Sequence, residues 1–448
     1  MTDFRKEFDA YRTRHAAPER IELLLCDINA ILRGKWLPGD QADKLAAGQV
    51  RLPISTYAPT IMGTEPPETG LGIVAGDPDG FMKPVPGTLK PVPWARGEVA
   101  QVLVEMSESA ESAGSGEPAG WLSSRRALAR MVDRLAAKGL YPTLACELEF
   151  YIVRKRSNGD EAPRPPAHLP DAQNYELGVM SNFAEILDDI RHACAAQGLA
   201  SDTLVAEFGP GQFEINFHHT GDVLVAADTA LLFRRLVRGV VARHGLEASF
   251  MAKPYAKEPG SGMHVHVSLC DAAGRNIFDA GAQLKRAVAG VLATMREAQA
   301  LFAPHLNSFR RFQPASFAPS RPDWGQDNRA AAIRLPETTG KGARLEHRIC
   351  GADVNPYLAI AAILGGIMHG LETDLPLQPP LEDADAKPAE PLDHDWTRAV
   401  ERCAVSDFCA DVLGRRLRDV YVAVKRDEIA ALTAEISPVE YRHYLGRF

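Results

Sequence analysis

The segment Pro259-Gly260-Ser261-Gly262-Met263-His264-Val265-His266-Val267-Ser268-Leu269 constrains this chain more than any other. A glycine-rich loop runs straight into an alternating run, so His264, His266 and Ser268 fall at i, i+2 and i+4 and share one face of a strand. Glycine lets backbone approach a ligand closely, and neutral imidazole binds a divalent ion or a phosphate edge. A lone histidine is usually core or surface. Two in register behind a Gly-x-Gly loop point to a site.

Three further segments place charge in strand-like surroundings. Glu147 and Glu149 alternate within TLACELEFYIV and face the same way. Taken alone, the pair fits a solvated edge strand as well as a cation site, since two close like charges need water or a counter-ion. Glu207 and Glu214 flank a Gly-Pro-Gly turn in EFGPGQFEIN, which is either a hairpin with solvated acids or a device that brings both carboxylates to one point. Arg344, Glu346 and Arg348 alternate in RLEHR, with Arg310-Arg311, Arg329 and Arg334 upstream. Guanidinium forks suit phosphate and carboxylate, although a buried Arg–Glu network is also a purely structural option. Oxygen-rich ligation with imidazole favours Mg²⁺ or Mn²⁺ over zinc. Neither Gly34-Lys35 nor Gly340-Lys341 has Walker A spacing. The residues themselves therefore read as metal-dependent phosphoryl chemistry built on a sheet.

Composition bounds the remaining choices. At 448 residues the chain suits two or three domains of ~100–200 residues. Its 46% hydrophobic and 24% charged content is that of a core-forming chain. A net charge of -8 argues against nucleic acid or an anionic membrane as partner. The longest apolar run, Tyr357 to Met368, is shorter than the ~18 residues that span a bilayer, and residues 1–20 are too charged for a secretory signal. The expected location is cytoplasmic. The 7 cysteines are scattered without a C-x-x-C, which predicts reduced, mostly buried thiols.

Texture changes near SESAESAGSGEPAG, so the expected organisation is a β-rich domain over 1–106, a linker over 107–120 and a large α+β domain over 121–448. Predicted strands include Ile21–Cys26, Gln101–Glu105, Phe213–Phe217, His264–Leu269 and Arg344–Ile349. Predicted helices include Ser123–Lys138, with a serine cap and Gly139 as stop, then Phe183–Gln197, Ala226–His244, Leu284–Gln299 and Asn355–Leu371.

In chain order, ELEF, EFGPGQFEIN, KPYAKEPGSGMHVHVS, NSFRRF, NRAAAIRLP, RLEHR and ADVNPYLA resemble the conserved blocks of the glutamine synthetase family. With the Asp27…Arg33-Gly34-Lys35 stretch, the resemblance covers nearly the whole chain. RRFQP, Trp324-Gly325 and GADVNPYL resemble most its γ-glutamylpolyamine (γ-glutamylputrescine) synthetases. The resemblance implies a β-grasp N-terminal domain, a catalytic domain with a curved antiparallel sheet, and a homododecamer of two hexameric rings with active sites between subunits. It implies ATP as co-substrate, two or more Mg²⁺ or Mn²⁺ ions per site, and glutamate and a primary amine or polyamine as the other substrates. By position, Glu149, Glu207 and Glu214 match one metal site, and Glu147, His264 and Glu346 the other. His266, Ser268 and Arg344 match nucleotide contacts and Arg334 a phosphate contact. Gly260, Arg311 and Arg348 match the glutamate site, and Arg329 the position that steadies the transferring phosphoryl group.

Departures from the family pattern concern the amine. Where ammonia-using members of the family carry a flap glutamate, this chain has Phe317 in QPASFAP, and the FDGSS segment is replaced by RLPISTYAP. Asp79, in GDPDGFMKP, matches a second ammonium-site position. An ammonium ion stripped of carboxylate ligands in a dry site is costly, whereas a phenylalanine packs against an alkyl chain. The expectation is ligation of glutamate's γ-carboxylate to a polyamine such as putrescine or spermidine. Alternatives are a γ-glutamyl monoamine synthetase, a true glutamine synthetase and, from another class, an inactive scaffold or sensor. The retention of Glu or His at all six metal positions argues against the last.

Overall fold

The computed structural model describes residues 4–107, 120–279, 281–313 and 316–448. The first part holds α1 (Phe4–Arg14), β1 (Arg20–Cys26), β2 (Leu32–Pro38), α2 (Ala42–Ala46), β3 (Arg51–Pro53), β4 (Asp79–Pro84), β5 (Lys90–Pro91) and β6 (Val99–Ser107). Its sheet runs β2-β1-β6-β4-β3, with β5 also on β6, and β1 lies parallel to β6 while its other neighbours are antiparallel. Between Tyr57 and Asp79 the repeated prolines permit only short 3₁₀ turns. Helix α1 has no counterpart in the sequence reading; it is anchored by buried Phe4 and Tyr11. The linker expected over 107–120 lies outside the described residues across 108–119.

The second part opens with α3 (Ser124–Ala136), capped by the Ser123 hydroxyl, which accepts from the Arg126 N–H. Then follow β7 (Tyr141–Arg154), α4 (Leu177–Asn182), α5 (Ala184–Gln197), β8 (Ser201–Ala206), β9 (Gln212–Phe217), α6 (Val223–Arg243), β10 (Leu246–Ser249) and β11 (Met263–Cys270). Next come α7 (Ala282–Thr294), α8 (Gln299–Phe302), β12 (Trp324–Gln326), β13 (Ile333–Glu337), β14 (Arg344–His347) and α9 (Pro356–Glu372). The last helices are α10 (Trp396–Val405), α11 (Asp407–Leu413), α12 (Arg415–Ala434) and α13 (Pro438–Tyr444). The second sheet runs β12-β13-β14-β11-β7-β9-β8, with β10 on the far end of β7. The whole is an α+β molecule.

Three details correct the sequence reading. The sheet is antiparallel except at its edge, where β12 and β13 pair in parallel. The helix expected over Leu284–Gln299 stops at Thr294, where the ladder gives way to a shorter-range Met295 N–H to Leu292 carbonyl bond before α8 begins at Gln299. The strand expected to reach Ile349 ends at His347, because the Arg348 N–H turns to the Ala332 carbonyl.

Helix α9 is buried almost all round and crosses α7 at glycine. A Cβ on Gly290 would meet the Gly366 carbonyl oxygen at 2.2 Å, so only glycine admits this approach. The two parts of the chain are tied by buried polar contacts. The Asn355 amide donates to the Asp27 and Ile28 carbonyls and to Ser124, while caps on α9 come from the same side chain. Lys425 and Glu428 on α12, both fully buried, meet Asn29, and Glu428 also accepts from the Ile61 N–H. Among the described residues no helix is long and apolar enough to cross a membrane.

Candidate active site

Strand register assembles the site. β7 lies between β9 and β11, which sets Glu149 opposite Glu214 and Glu147 opposite His264. β14 then sets Glu346 opposite His266, and β13 sets Arg334 opposite Glu346. Directly opposed residues on a sheet lie ~4.5–5.5 Å apart at Cβ, so alternation along each strand becomes a cluster across five strands.

Ligand-type atoms of Glu147, His264 and Glu346 lie within 4.8 Å of one another, and so do those of Glu149, Glu214 and His264. The first trio is the one the family resemblance implied. In the second, His264 stands where Glu207 was expected. Glu207 follows β8 at the hairpin turn and interacts electrostatically with Glu149 without joining that trio. Burial and the Glu149 charge push the Glu207 carboxyl up to about 7, and burial with the charges of Glu147, Glu149 and Glu207 pushes Glu214 well up. Burial also works against Glu147, but hydrogen bonds from His264 Nδ1 at 3.1 Å and His266 Nε2 at 2.8 Å hold its carboxyl well below the usual range. Glu346, fully buried, is held low against burial chiefly by Arg348 and His264. Carboxylates opposed in this largely desolvated setting repel each other. A donor set of carboxylate oxygens and one imidazole fits a hard divalent cation that would relieve this repulsion.

Glycine brings the loop 259–262 against this cluster. The Gly262 N–H donates to Glu149 Oε2 at 2.7 Å. A Cβ on Gly260 would meet the Ala252 carbonyl at 2.7 Å and the Arg311 side chain at 2.8 Å. Arg311 is buried against the loop and Arg348 is buried beside Glu346, and the Nε of each lacks a hydrogen-bond partner among the described residues. Two buried guanidinium groups with free donors suit an anionic ligand, and carboxylate is the match for their fork geometry. On the other flank, Arg344 Nε donates to His266 Nδ1 at 3.3 Å, and the Ser268 hydroxyl is engaged with the Ala343 carbonyl. Arg334 bridges Asp327 and Glu346. Arg329 is exposed and lowers the Glu207 carboxyl through its charge. Asp79, at the start of β4, is exposed, pairs with Pro53, and belongs to neither carboxylate trio.

Sequence reasoning overlooked several residues here. Gln212 lies two positions from Glu214, and Tyr151 two from Glu149, so alternation alone could have found both. Gln212 Nε2 donates to the Gly260 carbonyl at 3.0 Å, and the Tyr151 hydroxyl donates to the Pro259 carbonyl at 2.9 Å. Together they brace the glycine loop. Tyr175 left no signal. Asn174 and Tyr175 take φ of 40° and 67°, a region costly for residues with a Cβ. That turn is held by Gln173, whose side chain bonds to the Glu207, Gly211 and Gln212 backbones. It sets Tyr175 near Glu207, whose charge, followed by burial, raises the phenol. Phe208 and Phe317 meet at 5.2 Å between centroids with their rings tilted by 48°, next to Glu207 in the chain, and Phe317 also has a positive φ of 58°.

Residues 122–444 match the family model described as glutamine synthetase, catalytic domain. The chain belongs to the glutamine synthetase family and is an ATP-dependent carbon–nitrogen ligase that joins glutamate to an amine. It is 36% identical to γ-glutamylputrescine synthetase PuuA of Escherichia coli (strain K12), over 98% of this chain and 94% of that one. It is 35% identical to γ-glutamylethanolamide synthetase GlnA4 of Streptomyces coelicolor, over 67% of this chain and 65% of the relative. The solved structure of apo GmaS without ligand superposes with a TM-score of 0.84, covering 99% of this chain and 100% of that one at 25% identity.

Proposed function

We propose that this enzyme couples ATP to the ligation of glutamate's γ-carboxylate with a polyamine, putrescine or spermidine, through γ-glutamyl phosphate. The observation that carries the chemistry is the in-register Glu149–Glu214 pair beside Glu147, His264 and Glu346. These residues, with Glu207, would hold two divalent ions, Mg²⁺ or Mn²⁺. When bound, such ions neutralise phosphate charge during transfer.

The chain's own residues supply the rest. Arg311 and Arg348, with the Gly260 loop, hold the glutamate carboxylates and aim the γ-carboxylate at the ATP γ-phosphorus. His266, Ser268 and Arg344 flank the nucleotide. Arg334 and Arg329 stabilise the charge that develops on the transferring group. ADP leaves and γ-glutamyl phosphate remains. The protonated amine gives one proton to a base, for which we assign Asp79 of a neighbouring copy in a two-ring dodecamer. The neutral nitrogen then attacks the acyl carbon, the C–O bond to phosphate breaks, and the departing phosphate takes the second proton from the nitrogen. In this reading the chain divides into a domain over 1–106 and a catalytic domain over 121–448, and it works in the cytoplasm.

Support for an alkylamine comes from the acceptor side. Phe208 and Phe317 offer aromatic faces beside Glu207, and Tyr175 stands within electrostatic reach of the same carboxylate. Such faces cover methylene groups and attract a cation. The likeness to PuuA and GlnA4 supports an organic amine as acceptor.

The test is phosphate release from ATP with glutamate and Mg²⁺ across ammonium, methylamine, ethanolamine, putrescine and spermidine, with product masses. Putrescine or spermidine is expected to turn over and ammonium hardly at all. Phe317→Ala is expected to raise KM for the diamine about tenfold while leaving KM for ATP unchanged, the loss of one apolar contact. Strong turnover with ammonium would overturn the polyamine reading in favour of glutamine synthesis. Preference for ethanolamine would move it to a monoamine, and no metal-dependent turnover with any amine would favour a scaffold.

A further inference from the structure

We propose that Glu382, on the strap that follows α9, is a positioning residue for this reaction: its carboxylate fixes the loop that carries Arg329 and, through Asp327, the guanidinium of Arg334. The inference rests on the ligase reading above and extends it to a residue remote from the metal cluster.

Glu382 Oε1 accepts from the Gln326 N–H at 2.6 Å, and Oε2 accepts from Asn328 Nδ2 at 3.3 Å. The approach is possible only beside glycine, since a Cβ on Gly325 would sit 2.6 Å from Glu382 Oε2. Neighbouring bonds keep the strap in register with β12. The Leu381 N–H donates to the Trp324 carbonyl at 2.8 Å, and Trp324 Nε1 donates to the Gln378 carbonyl at 2.7 Å. The next residue of the loop, Asp327, has φ of 47° and accepts from Arg334 Nε at 3.0 Å. Arg334 Nη1 then donates to Glu346 Oε2 at 3.0 Å. Through the one covalent link from Gln326 to Asp327, these contacts lead from a surface carboxylate to a fully buried member of the metal cluster.

The strap lines an open apolar pocket of about 670 Å³ with Leu292 and Trp324, and of its side chains Leu377 packs against the core, so polar ties add to packing in placing it. Glu382 is exposed, and exposed polar contacts contribute little to stability. Displacing a phosphate-facing arginine by ~1 Å costs up to about a hundredfold in rate. The geometry thus separates catalysis from stability: loss of Glu382 should slow turnover without loosening the fold.

The experiment uses the full chain with ATP, glutamate, Mg²⁺ and whichever amine supports turnover. Glu382→Ala is expected to lower kcat about tenfold to a hundredfold. KM for glutamate and the melting temperature should be unchanged. Glu382→Gln keeps an acceptor for Gln326 and is expected to recover most of the rate. Glu390→Ala on the same strap removes an exposed carboxylate paired with the half-buried Arg296 and should behave as wild type. A Glu382→Ala enzyme with wild-type kcat would overturn the inference. So would a parallel fall in kcat and melting temperature that glutamine does not rescue, the mark of a merely structural strap. A wild type inactive with every amine would remove the ligase reading and this inference with it, whereas an active wild type beside an unaffected variant removes the inference alone.

Discussion

Glu149→Ala is expected to cut turnover by about a thousandfold or more with the fold intact, the scale on which losing electrostatic stabilisation of a transition state is felt. Glu149 faces Glu214 across the sheet, stands beside Glu207, and accepts the glycine loop through Gly262. In the metal-free protein its charge is a burden, because it raises the carboxyls of Glu207 and Glu214. Glu149→Gln should therefore melt no lower than wild type without metal. Wild type should gain thermal stability when Mg²⁺ is added, as any ligand of the native state confers, and the variant should gain much less. Phosphate release and melting curves with and without Mg²⁺ check both halves. A folded Glu149→Ala enzyme with near-normal turnover would mean that the cluster is not the seat of the chemistry.

Lys425→Met is expected to destabilise the chain by about 3–5 kcal/mol, the scale for leaving one member of a buried ion pair without its partner. Lys425 and Glu428 have no solvent exposure and stand 2.9 Å apart, with Asn29 bonded to both. They clamp the first sheet's loop to α12, so the loss falls on the contact between the two parts of the chain. Burial alone would raise the Glu428 carboxyl, but the Lys425 charge, with help from His305, holds it at about 2. A carboxyl held below its unfolded value of 4.5 contributes stability that is present above pH 4.5 and lost as pH falls toward 2. The deficit of Lys425→Met relative to wild type should thus shrink over that window, because Glu428 can then protonate. Denaturant unfolding at neutral pH and near pH 3 measures it. Equal deficits at both pH values would show that lost packing, rather than lost charge, explains the effect. Lys425→Met with Glu428→Leu should recover part of the loss, and only part, because the Ile61 N–H and the Asn29 amide lose their acceptor.

Alternation was enough to read the site's parts from the sequence. Glu147 with Glu149, His264 with His266, and Arg344 with Glu346 must share faces once their segments are strands, because the side-chain period of a strand is 2. The Gly-Pro-Gly turn between Glu207 and Glu214 likewise dictates the β8–β9 hairpin. Prolines excluded long helices between Tyr57 and Asp79, and Ser123 and Asn355 marked the starts of α3 and α9. These are local rules, obeyed whatever the rest of the chain does.

Register, burial and long-range ties had to await the tertiary structure, since pairing between strands is a contact between distant segments that no local period encodes. That β7 lies between β9 and β11 is what opposes Glu149 to Glu214, and it turns two readings left open in the sequence into one partly buried cluster. The placement of His264 in both trios, in the seat expected for Glu207, follows from that register. Tyr175 reaches Glu207 only because Gln173 straps its turn to the hairpin. The chain's residues determined which chemistry was possible and on which strand faces it would stand. Only packing decided which charges meet, because like charges are brought together at a cost that the whole fold, and nothing local, sustains.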